Sequence, residues 1–157
     1  MVRKHGQVAE QQIALSNQTT LPRDNFIYLR TVPRASPGVM QLSSIVAQAG
    51  GLPEPFSEDD LNAMRTVEDS AGALTWAEWT DGAGTTCVLA LRRMTVRERV
   101  LPAGAGALDM MMRNCVRGSA HDALEPATPG YVMVPASAQL TRGTPQRSLS
   151  PLAAPTP

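Results

Sequence analysis

The stretch from residue 74 to residue 119 constrains the fold more than any other part of this chain. Two strand-like runs, 73–80 and 85–94, flank the turn sequence Asp81-Gly82-Ala83-Gly84. Strand-favouring residues on both sides of a glycine-rich turn predict a β-hairpin. The run after the turn, which carries Cys87, is the clearest strand in the sequence.

Residues 108–117 come next, after a loop that contains Pro102 and a Gly104-Ala105-Gly106 run. Apolar side chains recur here at i, i+3, i+4 and i+7, the spacing of one helix face: Leu108, Met111, Met112 and Cys115. An acid lies at the start, arginines lie near the end, and Gly118 offers a stop. The sequence therefore predicts a helix over 108–117, with the glycine run as its flexible entry.

Two further strands are predicted nearer the start of the chain. Residues 12–16 alternate with period two, and residues 25–32 are apolar on both faces, which favours a more central strand. The turn-forming residues between them indicate an antiparallel hairpin. A short edge strand is also predicted at 131–134.

Two short helices are predicted between the hairpins. Ser36-Pro37 suits a helix start, apolar residues at 42, 45, 46 and 49 have helical spacing, and Gly50-Gly51 is a natural end. Ser57 precedes Glu58, Asp59 and Asp60, and with Glu54 these acids form a cluster that a capped helix start explains. We expect the second helix to run through Leu61 and Met64 to about Val67.

A chain of 157 residues is enough for one domain. We predict an α+β fold, with a small antiparallel sheet of about four strands and two or three helices packed on one face. The predicted organisation is a flexible N-terminus over 1–10, one domain over 11–125, and a proline-rich, largely disordered tail over 126–157.

Composition argues against several classes of function. Fourteen basic and 14 acidic residues cancel, and aromatic residues make up only 4%, so neither a basic field nor a stacking surface favours nucleic acid. No apolar run is long enough to span a membrane. We predict no nucleic-acid partner and no transmembrane segment.

The residues that resemble catalytic or metal-binding groups are better explained as structure. Cys115 has only His121 or His5 as a base, and two cysteines with two widely spaced histidines do not match a zinc site. Ser119, His121 and Asp122 are too crowded along the chain for a triad. The glycine run lacks the third glycine of a dinucleotide loop, because Asp109 stands there. We predict no catalytic, cofactor or metal site, and no enzyme; a small cysteine-dependent enzyme is the weakest alternative.

Two other features suggest contacts. If the strand with Cys87 packs on the helix with Cys115, two interpretations are open: a disulfide, which requires an exported protein, or two buried apolar cysteines that never bond, which a reducing cytoplasm favours. Trp76 and Trp79 point to opposite faces of a strand, so Trp79 is a candidate contact. A basic strip of Arg92, Arg93, Arg97 and Arg99 is either a solvated edge or a surface for an acidic partner or a lipid head group.

Three stretches resemble the BcsN family, small accessory proteins of bacterial cellulose synthesis. The first, residues 11–17 with 25–28, is similar to the family's opening hairpin. The second, residues 86–92, is similar to its cysteine-bearing strand, and the third, residues 108–109 with 112–116, to its closing helix. The resemblance implies a non-enzymatic accessory or structural protein of cellulose (exopolysaccharide) synthesis or export in the cell envelope. Its partners would be other proteins of that machinery. An alternative is a lipoprotein-like subunit of another envelope secretion or assembly system.

Family members look like exported proteins, and residues 1–10 show no apolar stretch of a signal peptide. We therefore expect the chain as written to stay in the cytoplasm. We expect it in the periplasm or cell envelope if a longer N-terminus carries a signal.

Overall fold

A seven-stranded antiparallel sheet forms the centre of the protein in the computed structural model, which describes residues 2–5, 8–34, 38 and 40–133. Its order is β1-β2-β3-β7-β6-β5-β4. The strands are β1 (Val2–His5), β2 (Val8–Leu15), β3 (Asn25–Pro33), β4 (Arg65–Asp69), β5 (Gly72–Thr80), β6 (Thr85–Thr95) and β7 (Ala105–Arg117). The predicted antiparallel α+β architecture is confirmed, with more strands than expected.

Four α-helices and one 3-10 helix accompany the sheet within the described residues. They are α1 (Leu42–Gln48), α2 (Glu58–Asn62), α3 (Ala120–Leu124), a 3-10 helix (Glu125–Ala127) and α4 (Pro129–Val132). The Ser57 capping box of α2 is present, and Gly50 and Gly51 end α1 with φ of +106° and +102°. The predicted start of α1 at Ser36-Pro37 lies outside the described residues. Val67 does not extend α2, because it belongs to β4.

The helix predicted over 108–117 is wrong: this segment is β7, the longest strand. β7 lies between β3 and β6 and is covered on both faces, so Ala105 and residues 107–115 are all buried. A strand buried on both faces is apolar throughout and shows no alternation. The apparent helical spacing was a subset of that continuous run.

The sheet has two buried faces, which we name by what they carry. The disulfide face carries Cys87, Leu89, Leu91, Met111 and Cys115, and α1, α2 and their linkers cover it. The opposite face packs against residues of α3, the 3-10 helix and α4. It consists mainly of Leu74, Val88, Ala90, Met94, Leu108, Met110 and Met112.

The two predicted helices, α1 and α2, do pack on one face, as expected. The C-terminal segment covers the other face, and it forms short helices where we predicted tail and an edge strand at 131–134. Ala123, Ala127 and Val132 bury their side chains there. Residues 134–157 of the predicted tail lie outside the described residues. At the other end, β1 and the start of β2 pair within the segment predicted to be flexible.

Asn25 extends the ladder between β3 and β7 with its side chain. Its amide donates to the Cys115 carbonyl at 2.9 Å and its Oδ1 accepts from the Cys115 N–H at 2.9 Å. The pair reproduces the two bonds that one more strand residue would make, so the buried β7 backbone remains satisfied. The same amide donates to Ser16 O, which ties the β2–β3 hairpin to the central strand.

Candidate functional site

Cys87 and Cys115 form a disulfide that joins β6 and β7 on the disulfide face. The two residues are directly opposite each other in the ladder, with Cα atoms 4.0 Å apart. Because the Cys115 backbone bonds toward Asn25, the pair is a non-hydrogen-bonded position, where facing side chains are closest. The predicted pairing is confirmed, although the cysteines lie on adjacent strands and not on a strand and a helix.

The groups that resembled a catalytic centre have structural partners. Cys115 is bonded to Cys87, so it has no thiol for a histidine to activate. Asp122 accepts from the Ser119 N–H at 2.8 Å and from its hydroxyl at 2.7 Å, which forms the cap of α3. These hydrogen bonds lower the pKa of Asp122. Within the described residues no group of acids, cysteines and histidines converges as a metal site would.

The Gly104–Gly106 run begins a strand and not a helix. Gly104 has φ of +82°, which suits the turn before β7. A Cβ on Gly106 would lie 2.9 Å from the Arg34 Cα, so glycine is required where the end of β3 crosses β7. The run serves close packing.

The predicted basic strip is not continuous, because Arg92 and Arg93 point to opposite faces and are both paired. Arg92 is fully buried, and its guanidinium donates to both oxygens of Asp69 at 2.6 Å and to Gly72 O at 3.0 Å. Arg93 donates to Asp109 at 2.6 and 2.9 Å and also bonds Gly38 O. Arg92 is therefore not accessible to a partner.

The other predicted contact residues are more exposed. Arg97 is exposed and Arg99 is half-buried in the loop between β6 and β7, next to Val96 and Val100, which are 62% and 93% exposed. Trp76 and Trp79 do point to opposite faces, and each is half-buried against the core of its own face. Trp79 lies on the disulfide face.

Arg113 is the polar centre of the disulfide face, and the sequence did not single it out for this role. Its guanidinium is fully buried. It donates to the carbonyls of Glu54 at 2.6 Å, Asp24 at 3.1 Å and Pro22 at 3.2 Å, and to Asn25 Oδ1 at 2.9 Å. Burial lowers the pKa of Arg113, against the opposing charges of Asp24 and Glu54. One side chain thus holds the β2–β3 turn and the linker after α1 in place.

A groove borders this centre, between the β2–β3 hairpin and the end of α1. It consists of two cavities of about 220 and 330 Å³ that share Gln12, Ala49 and Gly50. We call it the β2–α1 groove. Glu10, Gln12 and Tyr28 line the first cavity, and Phe26 and Arg113 line the second.

One residue that lines the β2–α1 groove, Tyr28, has a buried hydroxyl without an ordinary partner among the described residues. Tyr28 is 5% exposed, and its hydroxyl has no hydrogen bond of ordinary geometry among the described residues. Burial first, and then the Glu10 carboxylate, raise the pKa of Tyr28 to about 12, with Arg30 opposing them. The Nε of Arg30, on the same strand, is also buried without a described partner, although its Nη1 bonds Gln48. Trp76 Nε1 and Arg92 Nε are also buried without a described partner, and of these four atoms only the Tyr28 hydroxyl belongs to a residue of the groove.

Sequence reasoning missed this groove because its parts are far apart along the chain. Residues 10–12, residue 28 and residues 49–51 meet only once the hairpin and α1 pack together. The signal that was available is the row of polar residues Glu10 and Gln12 on one face of β2, opposite Arg30 and Tyr28 in the ladder.

Comparison with known proteins gives no relative: no family model, no curated protein and no solved structure matches this chain. Among the described residues there is no helix of the length and apolar character that crossing a bilayer requires.

Proposed function

We propose that this protein is a non-enzymatic accessory or structural component of bacterial cellulose (exopolysaccharide) synthesis or export, working in the cell envelope. The observation that carries the proposal is the Cys87–Cys115 disulfide between two central strands. Disulfides persist in oxidising compartments such as the periplasm and are rare in the reducing cytoplasm. The cellulose context comes from the resemblance to BcsN-type accessory proteins over residues 11–17, 25–28, 86–92, 108–109 and 112–116.

The proposal of a non-enzymatic role is supported by the structural bonds that several chemically reactive side chains make. Cys115 is oxidised, and Ser119 and Asp122 cap a helix. These are three of the side chains that the sequence offered for nucleophilic or acid–base chemistry. An interaction protein needs a stable scaffold and a recognition surface, and exposed Arg97, Trp79 and the β2–α1 groove are the surfaces that would meet other proteins of the cellulose machinery or its product.

Deletion of the gene in its host, with extracellular cellulose measured by a fluorescent cellulose-binding dye, tests the proposal. We expect cellulose output to fall and the wild-type gene to restore it. Restoration by a Cys87→Ala/Cys115→Ala variant should be reduced. Unchanged cellulose output together with loss of a secreted protein would support the alternative envelope system and contradict the cellulose role.

The compartment is tested separately. Protein taken from host cells and trapped with a thiol-alkylating reagent under denaturing, non-reducing conditions should show no free thiol, since both cysteines are paired. Two alkylated thiols in protein from cells, with no fraction in the envelope, would contradict an envelope location.

A further inference from the structure

The charges around the β2–α1 groove are balanced within the groove itself. Glu10 lies opposite Arg30 in the β2–β3 ladder. At the other end Arg23 lies 3.9 Å from Glu54, both largely exposed, and Asp24 and Arg113 line the same cavity with one charge of each sign. An anionic or cationic ligand would meet as many like charges as opposite ones, so the groove favours a neutral ligand.

The hydrogen-bonding groups of the groove are both donors and acceptors. The Tyr28 hydroxyl stays protonated far above neutral pH and has no ordinary partner among the described residues. Gln12, which is exposed and lies directly opposite Tyr28, adds an amide, and Glu10 adds a carboxylate. A ligand hydroxyl both donates and accepts, so a ligand rich in hydroxyl groups matches this set.

The second cavity adds an aromatic ring and apolar residues to these polar groups. Phe26 is half-buried on the floor of the second cavity, and Ala14 lies opposite it in the ladder. Gly50 and Gly51 form the rim, and a Cβ on either would meet nothing within 4 Å, so the space above them is open. An aromatic side chain in a groove that also carries the Gln12 amide suits a ring with an apolar face and a polar edge.

We propose that the β2–α1 groove binds a neutral oligosaccharide, with Tyr28, Gln12 and Glu10 bonding its hydroxyl groups and Phe26 packing against a sugar ring. The assignment to a neutral saccharide follows from the groups in the groove. The narrower choice of a β-linked glucose chain rests on the proposed function in cellulose synthesis.

Titration of the isotopically labelled, disulfide-bonded chain with cellopentaose tests this binding by nuclear magnetic resonance. We expect the amide signals of Gln12, Gly50 and Gly51 to move with saturation at about millimolar concentration, a weak affinity that an open groove gives. Maltopentaose, with the other linkage, and an oligogalacturonate, which is anionic, serve as comparison ligands.

Two variants assign the binding to named side chains. Tyr28→Phe and Gln12→Ala should each weaken cellopentaose binding about tenfold, the loss of one hydrogen bond. Tyr131→Phe and Gln18→Ala make the same chemical changes outside the groove and should leave the affinity unchanged. A purely structural role for Tyr28 would leave the affinity of a folded Tyr28→Phe protein at the wild-type value.

Each remaining outcome decides a stated part of the proposal. If neither cellopentaose nor maltopentaose binds, the proposed saccharide site is overturned. If gene deletion nevertheless lowers cellulose output, the proposed function stands without a sugar site. Tighter binding of oligogalacturonate contradicts the neutral ligand. Binding of maltopentaose alone supports the saccharide site and overturns the β-linked glucose chain.

Discussion

Two buried arginines, one on each face of the sheet, show how differently the faces are held. Arg92 on β6 and Arg113 on the neighbouring strand β7 both have fully buried side chains. Arg92 meets a carboxylate, because Asp69 accepts two bonds of 2.6 Å from it. The described hydrogen bonds of Arg113 go to neutral oxygens: four backbone carbonyls and the amide oxygen of Asn25.

The partners differ in position as well as in charge. Asp69 and Gly72 belong to the β4–β5 hairpin, so Arg92 fastens one edge of the sheet to its centre. The partners of Arg113 are residues 22–25 and 54, which are loops beside the β2–α1 groove. On the opposite face the buried arginine thus meets a carboxylate. The disulfide face also has an ion pair, between Arg93 and Asp109, but its buried Arg113 positions the loops beside the β2–α1 groove through neutral oxygens.

Among the substitutions that test this difference between the faces, we expect the loss of Arg113 to lower stability most. Arg113→Met removes the donor to five oxygens and should lower the free energy of unfolding by about 3 to 5 kcal/mol, the cost of orphaned buried acceptors. Arg92→Met is the matched control and should cost about 1 to 2 kcal/mol, because Asp69 is 26% exposed and regains water. Urea unfolding measures both; equal losses would show that the two faces are held alike.

Removal of the disulfide should have the second largest effect. Cys87 and Cys115 are separated by 28 residues, and closing a loop of that length in the unfolded chain corresponds to about 3 to 4 kcal/mol. Cys87→Ala/Cys115→Ala should lose about this amount in urea unfolding. Wild-type protein in strong reductant should lose a similar amount, and a loss below about 1 kcal/mol in both would contradict the entropic account.

The ion pair of the opposite face should give a smaller effect that depends on pH. Asp69→Asn leaves the Arg92 charge buried without a counter-charge, and we expect a loss of about 2 to 3 kcal/mol at neutral pH, since the amide oxygen still accepts one bond. The hydrogen bond from Arg92 lowers the pKa of Asp69 below its usual value. The stability from this pair is thus fully present above about pH 4 and is lost as pH falls through the lowered pKa.

Unfolding measured from pH 7 to pH 2 checks this sign. The wild-type free energy should fall in the acid range, and the fall should be shallower in Asp69→Asn, which has no carboxyl to protonate. Asp60→Asn, which removes the exposed cap of α2, should cost only about 1 kcal/mol. Parallel acid slopes for wild type and Asp69→Asn would contradict the role of this ion pair.

The smallest expected effect is a gain in stability, in the variant Tyr28→Phe. Tyr28→Phe removes a buried hydroxyl that lacks an ordinary partner among the described residues, so stability should rise by up to about 1 kcal/mol. Thermal unfolding measures it, with Tyr131→Phe as the control on the other face. A loss of more than about 1 kcal/mol would show that the hydroxyl is well bonded in the free protein.

The elements predicted well are those whose neighbouring residues carry a clear signal, such as a turn or a helix cap. β6 follows a turn sequence, and α2 begins at Ser57 with three acids, so both were recognised within a few residues of their bounds. β7 was predicted as a helix because four of its apolar residues have helical spacing, and a strand buried on both faces has no alternation that would contradict this. β7 is a strand because it pairs with β3 and β6, and these tertiary contacts override its local sequence pattern.

The candidate site was less predictable for the same reason. The cysteines were paired correctly because they are only two, but the basic strip failed since adjacent strand residues such as Arg92 and Arg93 point to opposite faces. The role of Arg113 depends on carbonyls about 60 and 90 positions away in sequence. Since every residue has a backbone carbonyl, the sequence does not indicate which carbonyls accept from Arg113.

The position of the disulfide also sets how the protein yields to force. A pull between residue 2 and residue 133 can peel β1, β2 and β3 away one after another, because only hydrogen bonds and packing join them. The next pair, β7 and β6, shares a covalent bond, so the 28-residue separation between the cysteines cannot be extended. In a single-molecule pulling experiment, the fully extended length of the oxidised chain should therefore be about 100 Å shorter than that of the reduced chain, at roughly 3.6 Å per residue.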